Sequence, residues 1–209
     1  MLARILAARR RPPVTSAQSL TRFLRENAAL VAQKTVIGYC NARTSLPLSE
    51  LMRDKPFADA FERGRAMAYI AVLADMFVIA EGRLRPAAAG RLDRLADMLA
   101  AQFDVAVGDA GVAVDPETRS EARDRLQARL RAAQSEAPQS IADVARVSGQ
   151  TVYGAMPIHE RFRQLDRESI IASVRFLMVG LANEFDRRLD APRIVADLFG
   201  QGASLPAPA

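Results

Sequence analysis

The feature that most constrains the fold is a run of fifteen residues, from Ala66 to Ala80, that is apolar on almost every side. Only Tyr69 and Asp75 place polar groups within it. A helix that is apolar all round has to be buried among other elements. The run is also shorter than the roughly 20 apolar residues that a membrane crossing needs. We therefore predict a central helix over residues 57–82 that other helices enclose.

The remainder of the chain supplies helices that could enclose it. Apolar residues recur at every third or fourth position in segments 18–43, 87–107 and 167–189, which is typical of amphipathic helices. Only 12 of 209 residues are aromatic and tryptophan is absent, which argues against a β-sandwich or barrel. We predict an all-α fold, a single-domain helical bundle of about six to eight helices that spans residues 16–200.

The two ends of the chain are predicted to lie outside this domain. Residues 1–15 form a basic N-terminal tail that we expect to be flexible, and residues 201–209 are small and proline-rich, which favours a disordered C-terminal tail. Within the bundle, segment 105–114 alternates valines around two glycines. It fits a tiny β-hairpin or a flexible loop, and we favour the loop because a lone two-stranded hairpin is barely stable.

The formal net charge of +5 is concentrated at the N-terminus. Residues 1–13 contain no acid and four arginines, namely Arg4, Arg9, Arg10 and Arg11, whereas the rest of the chain carries 25 basic and 24 acidic side chains. Binding to nucleic acid depends on clustered cations that neutralise phosphates, so we do not expect a nucleic-acid partner. The tail arginines could instead contact a protein partner or an anionic membrane surface, with Leu2, Ile5 and Leu6 inserted. A solvated end is the alternative.

Segment 141–156, IADVARVSGQTVYGAM, resembles the helix-turn-helix of bacterial repressors in its Ile-Ala-x-Val-Ala start, its glycine and its Thr-Val-Tyr. Those repressors place about four residues between the turn glycine and the Thr-Val pair, whereas only Gln150 separates Gly149 from Thr151 here. A recognition helix cannot turn into a groove without those residues. We interpret the segment as a plain amphipathic helix, and a DNA-binding regulator is our third functional hypothesis.

Asp75 is the one ionisable residue inside the apolar run, and removing its charge from water costs several kcal/mol unless it is paired. We predict an ion pair with an arginine from another helix, such as Arg175. A solvent-facing position and a ligand-binding acid are the alternatives. In the ligand-binding interpretation, Asp75 and Tyr69 form a buried polar site beside a pocket for a small apolar ligand.

The residues that most often perform chemistry are sparse. His159 is the only histidine and Cys40 the only cysteine, so neither has a partner of its own kind for a metal site or a disulfide. We interpret His159 as a surface or helix-capping residue and Cys40 as a buried apolar thiol. No nucleophile, base and oxyanion donor come together in a motif, so we predict no catalytic residue, no metal site and no cofactor.

These observations favour a non-catalytic, cytoplasmic interaction or adaptor protein, with its basic tail as a further contact to the membrane surface. The cytoplasmic expectation follows from a single cysteine and from the absence of a secretory signal or spanning segment. A small apolar-ligand-binding bundle is the second hypothesis. The partner is expected to be a protein, and a homodimer is left open.

Overall fold

A computed structural model describes residues 12–109, 111 and 113–201 of the chain. The all-α expectation is confirmed, since these residues contain seven helices of eleven or more residues and no β-strand. Two four-residue helices, α2 and α7, complete the set. In chain order the helices are α1 (Ala17–Arg43), α2 (Leu48–Leu51), α3 (Lys55–Leu84), α4 (Leu92–Gly108), α5 (Pro116–Gln134), α6 (Ile141–Ala155), α7 (Glu160–Arg163), α8 (Arg167–Arg188) and α9 (Ala191–Gln201).

The predicted central helix is α3. It begins where the carboxylate of Asp54 accepts the N–H of Phe57 at 3.1 Å, with a proline in the first turn. Within the apolar run only Met67 and Ala71 are not buried. Helices α1, α4, α5 and α6 pack around α3, and α8 packs on α6 and α1. Burial on nearly all sides accounts for the lack of polar residues in this helix.

Aromatic contacts fix how α1 packs against α8 and how α3 packs against α4. Phe23 of α1 stacks on Phe185 of α8 with ring centroids 5.3 Å apart, and Phe77 of α3 meets the edge of Phe103 of α4 at 5.8 Å. All four rings are buried. Such pairs contribute about 0.5–1.5 kcal/mol each beyond the burial of their area, so they hold α1 to α8 and α3 to α4.

The favoured loop interpretation of segment 105–114 is wrong for residues 105–108, and so is the hairpin alternative. Residues up to Gly108 form the last turn of α4, because Phe103, Ala106 and Val107 continue the spacing that packs this helix on the core. A hairpin there would have removed these side chains from the core without a sheet to join. Residues 110 and 112 of this segment lie outside the described residues.

Two helix starts depart from the simplest pattern. Pro86 suits the first turn of a helix, but Arg85–Ala88 form a 3-10 turn, and α4 begins only after Gly90, whose φ is +80°. Asp166 directly precedes α8, where an aspartate often caps a helix. Its side chain makes no capping bond there, because it accepts hydrogen bonds from Tyr39 and Arg43 of α1 instead.

Segment 141–155 is one uninterrupted helix, α6, as the plain-helix interpretation predicted. Gly149 lies in its middle rather than at a turn. A Cβ at this position would lie 3.1–3.2 Å from Cγ2 and Cα of Ile171, so the glycine allows α6 and α8 to approach closely. The helix-turn-helix resemblance therefore does not extend to the structure.

The first and last described segments are joined to each other. Val14 donates its N–H to the carbonyl of Arg188 at 2.8 Å and accepts the N–H of Asp190 at 2.9 Å. The N–H of Ala17, at the start of α1, donates a hydrogen bond to the carboxylate of Asp197 in α9 at 2.8 Å. The four arginines of the tail and residues 202–209 lie outside the described part of the chain.

Within residues 12–109, 111 and 113–201, no helix has the length and apolar character that crossing a membrane would require.

Candidate interaction surface

The buried carboxylate of Asp75 connects three helices. Its Oδ1 accepts a hydrogen bond from Nη2 of Arg129 in α5 at 2.6 Å. Its Oδ2 accepts a hydrogen bond from the backbone N–H of Ser148 in α6 at 2.9 Å. Asp75 is fully buried, whereas Arg129 keeps about a third of its side chain in water. The predicted ion pair therefore exists, but its partner is Arg129 and not Arg175. The guanidinium of Arg175 donates to the carbonyl of Ala142 at 3.0 Å.

The groups around Asp75 have opposing effects on the pKa of its carboxyl group. Burial raises the pKa of Asp75 above its ordinary value, while the charge of Arg129 and the hydrogen bonds from Ser148 lower it. Because both oxygens already have partners inside the protein, this geometry is that of a structural ion pair.

Tyr69 belongs to a different contact. Its hydroxyl donates to the carbonyl of Ala106 in α4 at 2.9 Å, and its ring is buried. Burial raises its pKa. The two members of the proposed polar site, Asp75 and Tyr69, thus face different neighbours, and the structure does not bring them together. Neither of them lines any of five clefts found among the described residues.

The single histidine and the single cysteine have structural surroundings. His159 caps α7, with its Nδ1 accepting the N–H of Arg161 at 3.3 Å, as the capping interpretation predicted. Cys40 is fully buried in α1, and burial raises the pKa of its thiol to about 11. In the part of the chain that the structure describes, no group of three His, Cys, Asp or Glu side chains could hold a metal ion.

One cleft near His159 has a mixed lining. About 460 Å³ in volume, it lies between the end of α1, the start of α3 and the segment before α7. Phe57, Ile158 and Phe162 supply its apolar wall, and Arg43 and His159 its polar groups. Arg43 is already paired with Asp166. The cleft is open and its charge is compensated, so it contains no assembled catalytic or metal-binding group.

The most unusual surface of the described chain is the solvent side of α8. We define the outer face of α8 as eight exposed residues, one of which precedes the helix: Leu165, Ser169, Ala172, Ser173, Phe176, Val179, Gly180 and Asn183. Leu165 is 89% exposed and Phe176 is 80% exposed. None of the eight carries a charge, although a quarter of the chain's residues are charged.

The spacing on this face is that of a helix with a second packing partner. Six of its members alternate at intervals of four and three residues, namely Leu165, Ser169, Ala172, Phe176, Val179 and Asn183. That is the period at which residues meet along a helix–helix seam. The opposite side of α8 packs on the core through Ile170, Val174, Met178 and Phe185. The helix therefore has one apolar side that is buried and another, uncharged side that is not.

Phe176 stands alone at the centre of this face. The exposed residues three and four positions before and after it are Ala172, Ser173, Val179 and Gly180, all smaller than the ring. A Cβ built on Gly180 would have nothing within 4 Å. The face consequently presents one large projecting ring between shallow depressions.

Comparison of the chain with protein-family models, curated proteins and solved structures found no match.

Sequence reasoning missed the outer face of α8, although a signal for it exists. Between Ser169 and Asn183 the only charged residue is Arg175, whose guanidinium is engaged at the α6–α8 contact. The inner stripe of the helix, which packs on the core, accounts for most of its apolar residues and so obscures the second stripe in the sequence.

Proposed function

We propose that the protein is a non-catalytic, cytoplasmic interaction or adaptor protein that binds its partner through the outer face of α8. The single observation that carries the proposal is the exposed Phe176 within an uncharged helix face. Large aromatic side chains are among the residues that dominate binding energy at protein interfaces. Burying a phenylalanine side chain stabilises a protein or complex by about 1.5–3 kcal/mol of free energy. The exposed Phe176 does not gain this stabilisation within the chain itself.

The chemistry of the face favours a protein partner. Its residues offer apolar contact, two hydroxyl groups and one amide, which suit the apolar side of another helix. A nucleic acid would need clustered cations, and this face has none. The part of the face that lies within α8, residues 169–183, gives a partner helix about 21 Å of contact length.

The basic tail is a second element of the proposal. Pro12, where the description of the chain begins, accepts a hydrogen bond through its carbonyl from Nε of Arg188, at 2.8 Å, beside the end of α8. The described chain therefore begins next to the helix that carries the outer face. As part of the proposal, the four arginines that precede Pro12 in the sequence, Arg4, Arg9, Arg10 and Arg11, add positive charge that strengthens binding to an acidic partner or to an anionic membrane surface.

The ligand-binding hypothesis receives less support. The apolar cavity between α1, α3 and α8 has a volume of about 10 Å³, which is no larger than one water molecule needs. Asp75 has its hydrogen bonds made within the protein. We accordingly keep the interaction protein as the leading proposal.

A photocrosslinking experiment tests the proposal. A photoreactive phenylalanine analogue is incorporated at position 176, and in a matched control at position 162, which is also an exposed phenylalanine (59%) but lies outside the outer face. In lysate of the source cells, we expect a discrete protein adduct from position 176 only. Excess wild-type protein should compete it away, and excess Phe176→Ser protein should not. Absence of an adduct at 176, or the same adducts from both positions, would contradict the proposal.

A further inference from the structure

We propose that the His159 cleft, the space of about 460 Å³ between the end of α1, the start of α3 and the segment before α7, binds a small aromatic carboxylate. None of the residues that line this cleft belongs to the outer face of α8. The inference is therefore independent of the proposed function and goes beyond it. It is carried by the apolar walls of the cleft and by the hydrogen-bond donors among its polar residues.

The walls of the cleft suit a flat apolar body. Most of the residues that line it are apolar, namely Leu51, Phe57, Pro157, Ile158 and Phe162. The ring of Phe57 is held by a stack on the buried ring of Phe61, with centroids 6.2 Å apart, whereas Phe162 is exposed. Aromatic rings attract another ring in offset or edge-on contacts. A volume of about 460 Å³ also lies within the range of small-molecule sites.

His159 presents a hydrogen-bond donor at this cleft. Its Nδ1 accepts the backbone N–H of Arg161 at 3.3 Å, so its Nε2 carries the ring proton. Within the described part of the chain, Nε2 has no hydrogen-bond partner. The cap of α7 thus fixes which nitrogen donates, and it leaves that nitrogen available to a ligand.

Arg43 supplies a second donor, with a positive charge. Its Nε and Nη2 bond the carboxylate of Asp166, which also accepts the hydroxyl of Tyr39 at 2.8 Å. These bonds hold the guanidinium in place and leave Nη1 without a partner among the described residues. The carboxylate of Asp166 does not line the cleft, and none of the residues that do is acidic.

The polar groups therefore select the head group of the ligand. Thr44, the remaining polar residue of the lining, donates its hydroxyl to the carbonyl of Cys40 at 2.9 Å. Arg43 and His159 offer only donors, so the head group has to be an acceptor, and a carboxylate forms the strongest bonds with a charged donor. Because Asp166 already balances the charge of Arg43, we expect a Kd of about 0.1–1 mM.

The single histidine makes a binding test specific for this cleft. In the purified, ¹³C-labelled full chain without a histidine tag, the imidazole Hε1–Cε1 signal in an NMR spectrum belongs to His159 alone. At constant pH we expect 2-naphthoate to shift this signal saturably. The neutral analogue 2-naphthamide should bind at least about tenfold more weakly because it lacks the charge. Acetate, which lacks the ring, should produce no saturable shift.

Two pairs of variants locate the contacts. Phe162→Ser should weaken 2-naphthoate binding about tenfold, and Phe176→Ser, the matched control at an exposed phenylalanine outside the cleft, should leave it unchanged. His159→Asn and His159→Asp both keep a favoured capping residue before α7. The first removes the imidazole donor and should weaken binding about threefold or more, and the second adds a repelling carboxylate and should weaken it further.

The fluorescence of 2-naphthoate measures binding to all four variants, since the chain contains no tryptophan that would interfere. All the altered side chains are exposed. Circular dichroism and the melting temperature should therefore match the wild type, which separates a lost contact from a lost fold.

Four results would overturn the inference. They are an unchanged His159 signal at about 5 mM 2-naphthoate, equal binding of 2-naphthamide, the same saturable shift with acetate, and equal losses from Phe162→Ser and Phe176→Ser. The last of these would mean that the ligand associates with exposed rings in general. The proposed function is tested by a protein adduct at position 176, and none of these four results decides it.

Discussion

The carboxylate of Asp75 and the guanidinium of Arg129 meet at 2.6 Å across the interface between α3 and α5, and only the arginine reaches water. The two partners are therefore not equivalent. If Asp75 is neutralised, the partly exposed Arg129 can turn its guanidinium toward water. If Arg129 is lost, the buried carboxylate of Asp75 cannot reach water and remains uncompensated.

This asymmetry predicts that Arg129→Ala destabilises the protein more than Asp75→Asn. Breaking a buried pair so that a charge is left without compensation costs about 3–5 kcal/mol, and the amide of Asp75→Asn can still accept the Ser148 N–H. Denaturant titration monitored by circular dichroism measures both. Arg125→Ala is the control, because this exposed arginine of the same helix pairs only with Glu121 at the surface, and it should change stability by less than about 0.5 kcal/mol. Equal effects of all three would show that Asp75 does not need Arg129.

The close approach of α6 and α8 predicts opposite effects for two glycines of one helix. Gly149→Ala should destabilise by about 1–3 kcal/mol, because the added Cβ meets Ile171 at 3.1 Å. Gly154→Ala should stabilise by about 0.5–1 kcal/mol, because its Cβ has nothing within 4 Å and alanine favours the helix. The difference in melting temperature between the two variants measures this. A Gly149→Ala variant as stable as wild type would mean that the two helices can separate without cost.

The buried thiol of Cys40 is expected to be unreactive in the folded protein. At pH 8 a thiol-specific chromogenic reagent should modify it only after denaturant is added. The raised pKa of the Cys40 thiol also makes the free energy of unfolding depend on pH. The thiol loses its proton near pH 9 when unfolded and near pH 11 when folded. Its contribution to stability is complete below pH 9 and is lost as the pH rises toward 11.

A Cys40→Ala variant separates this contribution from other alkaline effects. It should lack the part of the stability loss that arises from the thiol between pH 9 and 11. Rapid labelling of the native wild type at pH 8 would show instead that α1 opens readily at Cys40.

Removal of residues 1–11 should leave the melting temperature within about 2 °C of the wild type, while removing most of the net charge. The core begins at Val14, which such a variant retains together with its bonds to Arg188 and Asp190. Removal of residues 1–16 is the informative comparison, since it eliminates Val14 and the Ser16 cap of α1, and should lower the melting temperature clearly. Differential scanning fluorimetry measures both. A large effect of the shorter truncation would show that the tail is part of the fold.

The helical architecture could be predicted because each long helix has a continuous apolar stripe. The central position of α3 followed from the absence of polar residues in its apolar run, and the structure buries that run almost completely. The existence of an ion pair at Asp75 could also be predicted, because an unpaired buried carboxylate is too costly.

The partner of Asp75 could not be predicted in the same way. Arg129 and Arg175 both lie next to an apolar stripe, on α5 and α8, and the choice depends on which helix brings an arginine to Asp75. Local sequence does not contain that information. The error at 105–108, where we favoured a loop over a hairpin, has a similar origin, because valines and glycines there are compatible with the end of a helix when the core extends beneath them.

The hydrogen bonds between the two ends of the described chain affect the order in which it can complete its structure. They join Val14 to Arg188 and Asp190, and Ala17 to Asp197. A ribosome releases α1 first, but the acceptors and donors that hold its beginning are encoded 174 to 180 residues later along the chain. The start of α1 consequently has to wait until α8 and α9 have been synthesised. Until then, Ser16 and Ser19 can cap the start of the first helix locally, but the N–H of Ala17 can bond only to water.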